Sequence, residues 1–302
     1  MDEVQHVFYK SKFELDVTKN DGMEFQRLFE RIMVSRHAED FVKIEPWGTI
    51  GDWKADGYLR STKTVYQVYA PHNMKANNTL NKIEEDFSNA LAKWKEQMKE
   101  WVFVHNSMRG IPAPVLHKIN ELDNNNPDIS FSIMAPEALE IMLFELDDAV
   151  IEEIYGFMPN RMDVTSMDYT NIKKIVGNIA RELDSYDQVM GPVSSDKLNI
   201  NNLSSSVKRL LTIGMVDSGI VNKYFSEHYD PELGDEIANA FKRKYEELKK
   251  DGIESDLIFA KLQEFTYGGG VTDPKDQVAA LAILAYLFER CDIFENTGAS
   301  DI

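Results

Sequence analysis

Cysteine is almost absent. The single thiol, Cys291, excludes an internal disulfide framework and fits a reducing compartment. It lies beside an apolar helix with no base near it in sequence, so a buried core role is expected. Long hydrophobic runs are missing too. The longest uncharged apolar stretch, Val278 to Phe288, falls far short of the roughly 20 residues that span a bilayer. The opening MDEVQHVFYK is acidic and carries no signal-type apolar segment. A cytoplasmic location with no membrane partner is therefore expected. The histidines, His6, His37, His72, His105, His117 and His228, form no HxH, HExxH or HxxxH pair, which argues against zinc. Gly268-Gly269-Gly270 follows no strand and lacks the Lys-Ser/Thr of a phosphate loop. Internal repeats and long heptad runs are absent.

What is abundant is acid, and it is unevenly placed. The net charge is −18. Residues 1–125 hold 17 Lys+Arg against 19 Asp+Glu, whereas the remainder holds 16 against 32. An acidic surface repels phosphate backbones, so any nucleic-acid contact is expected in the near-neutral first part. The second part suits solvent or a basic protein surface. A chain of 302 residues accommodates one large domain or two ordinary ones.

Read in order, the chain alternates at first. Phe25, Leu28, Phe29, Ile32 and Met33 make one helical stripe over 21–35. A strand is expected at Phe41–Ile44, and two more within Gly48–Ala70, the last ended by Pro71. A helix follows over 79–99. Trp101–His105 reads as a buried strand, 112–122 as a helix, Ile129–Ile133 as an alternating strand, and a short helix follows Pro136. The order α-β-β-β-α-β-α-β implies a mixed sheet with helices on both faces. Residues 157–171 read as an irregular junction. Beyond them only helices are expected, over 172–183, from Val207, over 233–250, over 253–265 and over 274–290. The last is apolar nearly all round, so it should be central. The expected division is an α/β domain over 1–156 and an acidic all-α interaction domain over 172–302.

Gly48–Ala70 holds the densest chemistry. Asp56 is expected on one strand and Gln67 and Tyr69 on the next, with Asp52 and Lys54 close by. Oxygen donors on adjacent strands suit a hard divalent cation. The plainer reading of Asp52 and Asp56 is turn chemistry, since Gly-Asp and Asp-Gly are common at turns. His105 reads as a satisfied strand-end residue, and Glu84-Glu85-Asp86 as a solvated helix face.

The αβββαβ order, with Gly51-Asp52…Asp56-Gly57 followed by Gln67-Val68-Tyr69, resembles the PD-(D/E)xK, restriction-endonuclease-like superfamily, closest to its Mrr type. The likeness spans roughly residues 20–135. It implies that Asp56 and Gln67 hold Mg²⁺ or Mn²⁺, with Asp52 a neighbouring candidate and Glu30 a possible acid from the first helix. It implies metal-assisted phosphodiester hydrolysis. Tyr69 stands where the family has lysine, so the resemblance leaves two alternatives open. Lys54 or Lys82 supplies the charge, or the site is dead. The Lys82–Phe87 segment, Trp94, Trp101–Asn106 and Ala282–Glu295 also resemble proteins of bacterial ABC-three-component antiphage systems. That likeness implies a nuclease-like effector or accessory subunit whose helical domain docks on an SMC-like ABC ATPase and an accessory subunit. DNA would be gripped only within the complex, and homo-oligomers are possible. The alternatives are an active DNA endonuclease, a nuclease-fold scaffold, and a regulator that binds a small ligand in the strand-end crevice.

Overall fold

The computed structural model describes residues 1–19, 22–45, 53–71, 74–180, 201–267, 273–290 and 293–294. It divides into two compact units, Asp16–Ile154 and Met1–Leu15 with Tyr155–Ile302.

The first unit is built on one five-stranded sheet, β1 (Phe41–Lys43), β2 (Gly57–Leu59), β3 (Thr64–Tyr69), β4 (Glu100–His105) and β5 (Ser130–Met134), in the spatial order β1-β2-β3-β4-β5. The first three strands are antiparallel; β4 and β5 run parallel to β3. The connection lengths dictate this. A turn of four residues joins β2 to β3, whereas β3–β4 and β4–β5 each cross over through a helix, as parallel pairing requires. Helix α2 (Gly22–His37) precedes the sheet, α3 (Ala76–Trp94) follows β3, and α4 (Ala113–Asn125) follows β4. The order expected from sequence is thus realised.

Alternation along the strands sorts side chains by face. On the α2 side, Phe29 packs against Phe41 and Tyr66, with ring centroids 5.8 and 5.5 Å away. Gly57 makes room there, since a Cβ would lie 2.3 Å from Phe41 Cζ. On the α3 side, Val65, Trp101 and Phe103 bury against Ile83, Phe87 and Ala90. Two short helices, α5 (Pro136–Phe144) and α6 (Asp148–Tyr155), follow the sheet.

The other unit has helices and no strand among its described residues. It contains α7 (Arg161–Ser166), α8 (Tyr169–Ala180), α9 (Ser205–Ser226), α10 (Leu233–Lys250), α11 (Ser255–Tyr267) and α12 (Pro274–Glu289). As its composition predicts, α12 is the axis, with Val278 to Ala285 all 0% exposed. Gly214 lets α9 approach it closely. Asp276 in the first turn of α12 is buried and accepts hydrogen bonds from Asn171 (2.8 Å) and Lys174 on α8.

Three local expectations need revision. Residues 157–171 are not wholly irregular, because Asn160 caps α7: its side chain accepts from the backbone N–H groups of Met162 and Asp163 while Asp163 reciprocates. The helix expected over 79–99 ends at Trp94, and a turn follows, closed by the Gln97 N–H to the Trp94 carbonyl. A helix absent from the sequence reading, α1 (Glu3–Lys19), opens the chain. Asp2 and Gln5 cap it reciprocally, at 2.9 and 3.1 Å. Its Val7 and Phe8 belong to the core of the helical unit, so residues 1–15 count with that unit rather than with the sheet. Among the described residues no helix is long and apolar enough to cross a membrane. Cys291, His72, Asp52 and Gly268–Gly270 lie outside the described residues.

Candidate functional site

The site predicted on Gly48–Ala70 begins with Asp56. It immediately precedes β2 instead of lying within it. Its N–H donates to the Tyr66 carbonyl on β3 (2.8 Å), while its carbonyl accepts from the Ile44 N–H beyond β1 (3.4 Å). In a regular strand both groups of one residue face the same neighbour, so the ladder is broken at Asp56. Its carboxylate closes the gap by accepting the Val68 N–H at 2.6 Å. That sequence position therefore reaches the end of β3, beside Gln67.

Gln67 points to the α3 face and is 6% exposed. Its Nε2 reaches the Val68 carbonyl only at 3.5 Å, and its Oε1 is buried with no hydrogen-bond partner. A buried, orphaned amide oxygen costs on the order of 1–3 kcal/mol, so a donor or cation in reach would relieve it. Two residues on, Tyr69 shares the face and stacks near Phe103, 5.9 Å between centroids. On the neighbouring strand His105 pairs in register with Tyr69. Burial pushes His105 down to about 4, against a weaker pull from Glu137, so its ring is neutral. Its Nδ1 accepts from the Ser107 N–H.

The other expected residues lie elsewhere. Glu30 belongs to α2, on the opposite face, and its carboxylate accepts from Gln26 (3.0 Å) and pairs with Lys43 (3.6 Å). Lys54 and Lys82 both converge on Asp86 of α3, at 3.1 and 2.7 Å. Asp86 is 1% exposed, which corrects the expectation of a solvated face at that residue, whereas Glu84 and Glu85 are exposed as expected. Burial works against the Lys54 ammonium, but the hydrogen bond and charge of Asp86 prevail and hold it above the ordinary lysine range. The signal for Asp86 was present in sequence. It stands four residues after Lys82 and beside Phe87, on the inward stripe of α3.

The donor set near Asp56 is all oxygen, which suits a hard cation and not zinc. Asp56 and Gln67, with its unpartnered Oε1, are the oxygen donors here that a hard divalent cation would take. Among the described residues, no group of three or more His, Cys, Asp or Glu is placed to hold a metal.

The architecture is thus a mixed-sheet α/β unit joined to an acidic helical unit. Residues 170–295 match the family model of C-terminal domain 10 of the ABC-three component (ABC-3C) systems. The match spans α8 to α12 and leaves the sheet outside it. The C-terminal part is thus similar to a domain of a multi-component system. No curated protein matches the chain, and no solved structure does.

Proposed function

We propose that this chain is a subunit of a bacterial antiphage ABC-3C assembly. Its helical domain docks on an SMC-like ABC ATPase and an accessory subunit, and its α/β domain is a nuclease-fold module. The matched C-terminal domain supports the first part. The αβββαβ order and mixed sheet support the second.

For the α/β domain the geometry favours a catalytically silent, scaffolding role. One observation carries this: Tyr69 holds the family's lysine position, and the substitutes Lys54 and Lys82 are both engaged by buried Asp86. A phenol carries no positive charge at neutral pH, so position 69 offers no counterpart to the charge that would build up on a phosphoryl group.

The rival reading is Mg²⁺- or Mn²⁺-dependent DNA hydrolysis, favoured by the orphaned Gln67 oxygen and by an Asp56 carboxylate that binds the next residue along, Val68. There Asp56 and Gln67 would hold the cation, which would polarise the phosphate and activate water. The test is to isolate the complex from its host and incubate it with plasmid DNA and Mg²⁺ or Mn²⁺. A scaffold shows no cleavage, and Asp56→Ala leaves phage protection intact. Cleavage abolished by Asp56→Ala overturns the scaffold in favour of the enzyme.

A further inference from the structure

At the end of the sheet where β2 turns into β3, away from Gln67 and Tyr69, exposed cations gather. Arg60 and Lys63 lie in that turn, and Lys93, Lys95 and Lys99 lie where α3 gives way to β4. Backbone hydrogen bonds tie the two segments together: the Lys99 N–H donates to the Lys63 carbonyl at 2.9 Å, and Tyr58 Oη donates to the Gln97 carbonyl at 2.8 Å. Among the described residues none of the five is ion-paired with a carboxylate. The acids built into this end bind neutral donors instead. Asp40 accepts from the Ser61 N–H and hydroxyl at 2.9 and 2.6 Å. Glu100 accepts from Thr64 and Ser132 at 2.9 and 2.5 Å. Glu96 is exposed among the lysines. In a chain of net charge −18, such a cluster is a local reversal of sign.

An aromatic platform adjoins it. Tyr58 stacks on Trp94, with centroids 5.2 Å apart and planes at 26°, and Trp53 meets Trp94 edge-on at 5.8 Å. The Trp53 ring is 43% exposed, and the Lys93 ammonium lies 6.0 Å from its centroid. Trp53 and Lys54 both have left-handed backbones, φ +56° and +57°, an unfavourable setting for bulky side chains. The turn holds because Lys54 is tethered to Asp86 and Ala55 is fully buried. A strained backbone thus keeps a large apolar ring in solvent, beside cations that form no ion pair among the described residues. Ring faces take bases, and ammonium groups take the phosphates between them.

We infer that Trp53 with Arg60, Lys63, Lys93, Lys95 and Lys99 forms a single-stranded nucleic-acid platform, separate from the Asp56–Gln67 site. It reads no sequence, since stacking and charge discriminate little between bases. It is independent of the catalytic question, because Asp56 sits at the far end of β3.

The test uses the full-length protein without divalent metal and oligo(dT) or oligo(rU) strands of about 20 nucleotides, longer than a typical single-strand site. Binding is followed by tryptophan quenching and anisotropy. Five phosphate contacts predict a slope of log K against log salt near −3.5, and Lys63→Ala/Lys95→Ala/Lys99→Ala should flatten it by about 2. Trp53→Ala should weaken binding about 5- to 100-fold, with Trp53→Phe recovering most of the loss. No binding at low salt, equal binding of polyglutamate, or an unchanged slope in the triple variant would each overturn the proposal. Preference for dT over rU, or the reverse, within a retained slope would identify the strand type.

Discussion

Gly214 offers a sharp test of how the helical domain is held together. It lies midway along α9, on the face turned to α12. A Cβ placed there would sit 2.5 Å from the Leu281 carbonyl oxygen and 2.9 Å from the Ala285 Cβ. Ordinary contact begins near 3.4 Å, so the helices would have to part by about 0.9 Å, the difference of 3.4 and 2.5. The first obstacle is backbone, which cannot rotate aside. Overpacking of this kind costs roughly 1–3 kcal/mol. Against it, alanine gains about 1 kcal/mol over glycine as a helix former. Because Val278 to Ala285 are enclosed on every side, parting α9 from α12 disturbs contacts all round the axis, and the steric cost should win. Gly214→Ala is expected to lose up to about 2 kcal/mol net, a fall in Tm of up to roughly 8 °C. Gly219, five residues on in the same helix, supplies the control: a Cβ there meets nothing within 4 Å. Gly219→Ala should therefore gain up to about 1 kcal/mol from propensity alone. The assay is parallel thermal and urea unfolding of the full chain by circular dichroism. If Gly214→Ala proves as stable as Gly219→Ala, the close approach of α9 and α12 is wrong.

Three further outcomes are expected. His105 is neutral in the fold down to about pH 4, whereas an unfolded histidine takes its proton near 6.5; its stabilisation is complete above about 6.5 and is lost as pH falls toward 4, by about 3 kcal/mol. His105→Gln should remove that acid-side loss, and a wild-type-minus-variant difference that stays flat across the window would refute it. Gly57→Ala should cost about 1–3 kcal/mol, because its Cβ would strike the Phe41 ring and push it off Phe29 and Tyr66; unchanged urea stability would show that the cluster is loose. Asp217 lies on the inward face of α9 with an unpartnered Oδ2, and burial raises its pKa. The penalty is therefore absent in acid and grows as pH rises past the ordinary carboxylate range, so Asp217→Asn should stabilise by about 1 kcal/mol at neutral pH and by little near pH 4. A Tm gain that persists in acid would contradict that cause.

The strands were legible because their alternation is clean. Trp101–His105 and Ile129–Ile133 sit where their β-branched and aromatic residues suggested, and the helix at 274–290 showed its central place by having no polar side. The turn between β2 and β3 was legible, and with it the approach of Asp56 to β3 through the Val68 N–H. Other features were hidden because they depend on partners distant in the chain. Asp86 looked solvated until Lys54, over thirty residues earlier, was seen to reach it. The helix at the start of the chain went unread although Tyr9, Phe13 and Val17 recur every four residues and are buried, while the burial of Val7 and Phe8 comes from residues 167 onward, far along the chain. The basic platform is likewise a product of folding, joining a turn at 60–63 to one at 95–99 that nothing in the local sequence connects.

The helix α1 has a consequence for how the molecule is made. Val7 and Phe8 belong to a core whose other members are supplied by Met167 and later residues. Val7 and Phe8 must therefore wait for segments from residue 167 onward before they find a lasting place, with the whole sheet synthesised in between. Such closure over a long span is slow, and until it happens two apolar side chains stand uncovered. A truncated version starting at residue 155 would carry the complementary vacancy, a hydrophobic notch along its bundle, and should be stickier than the intact chain.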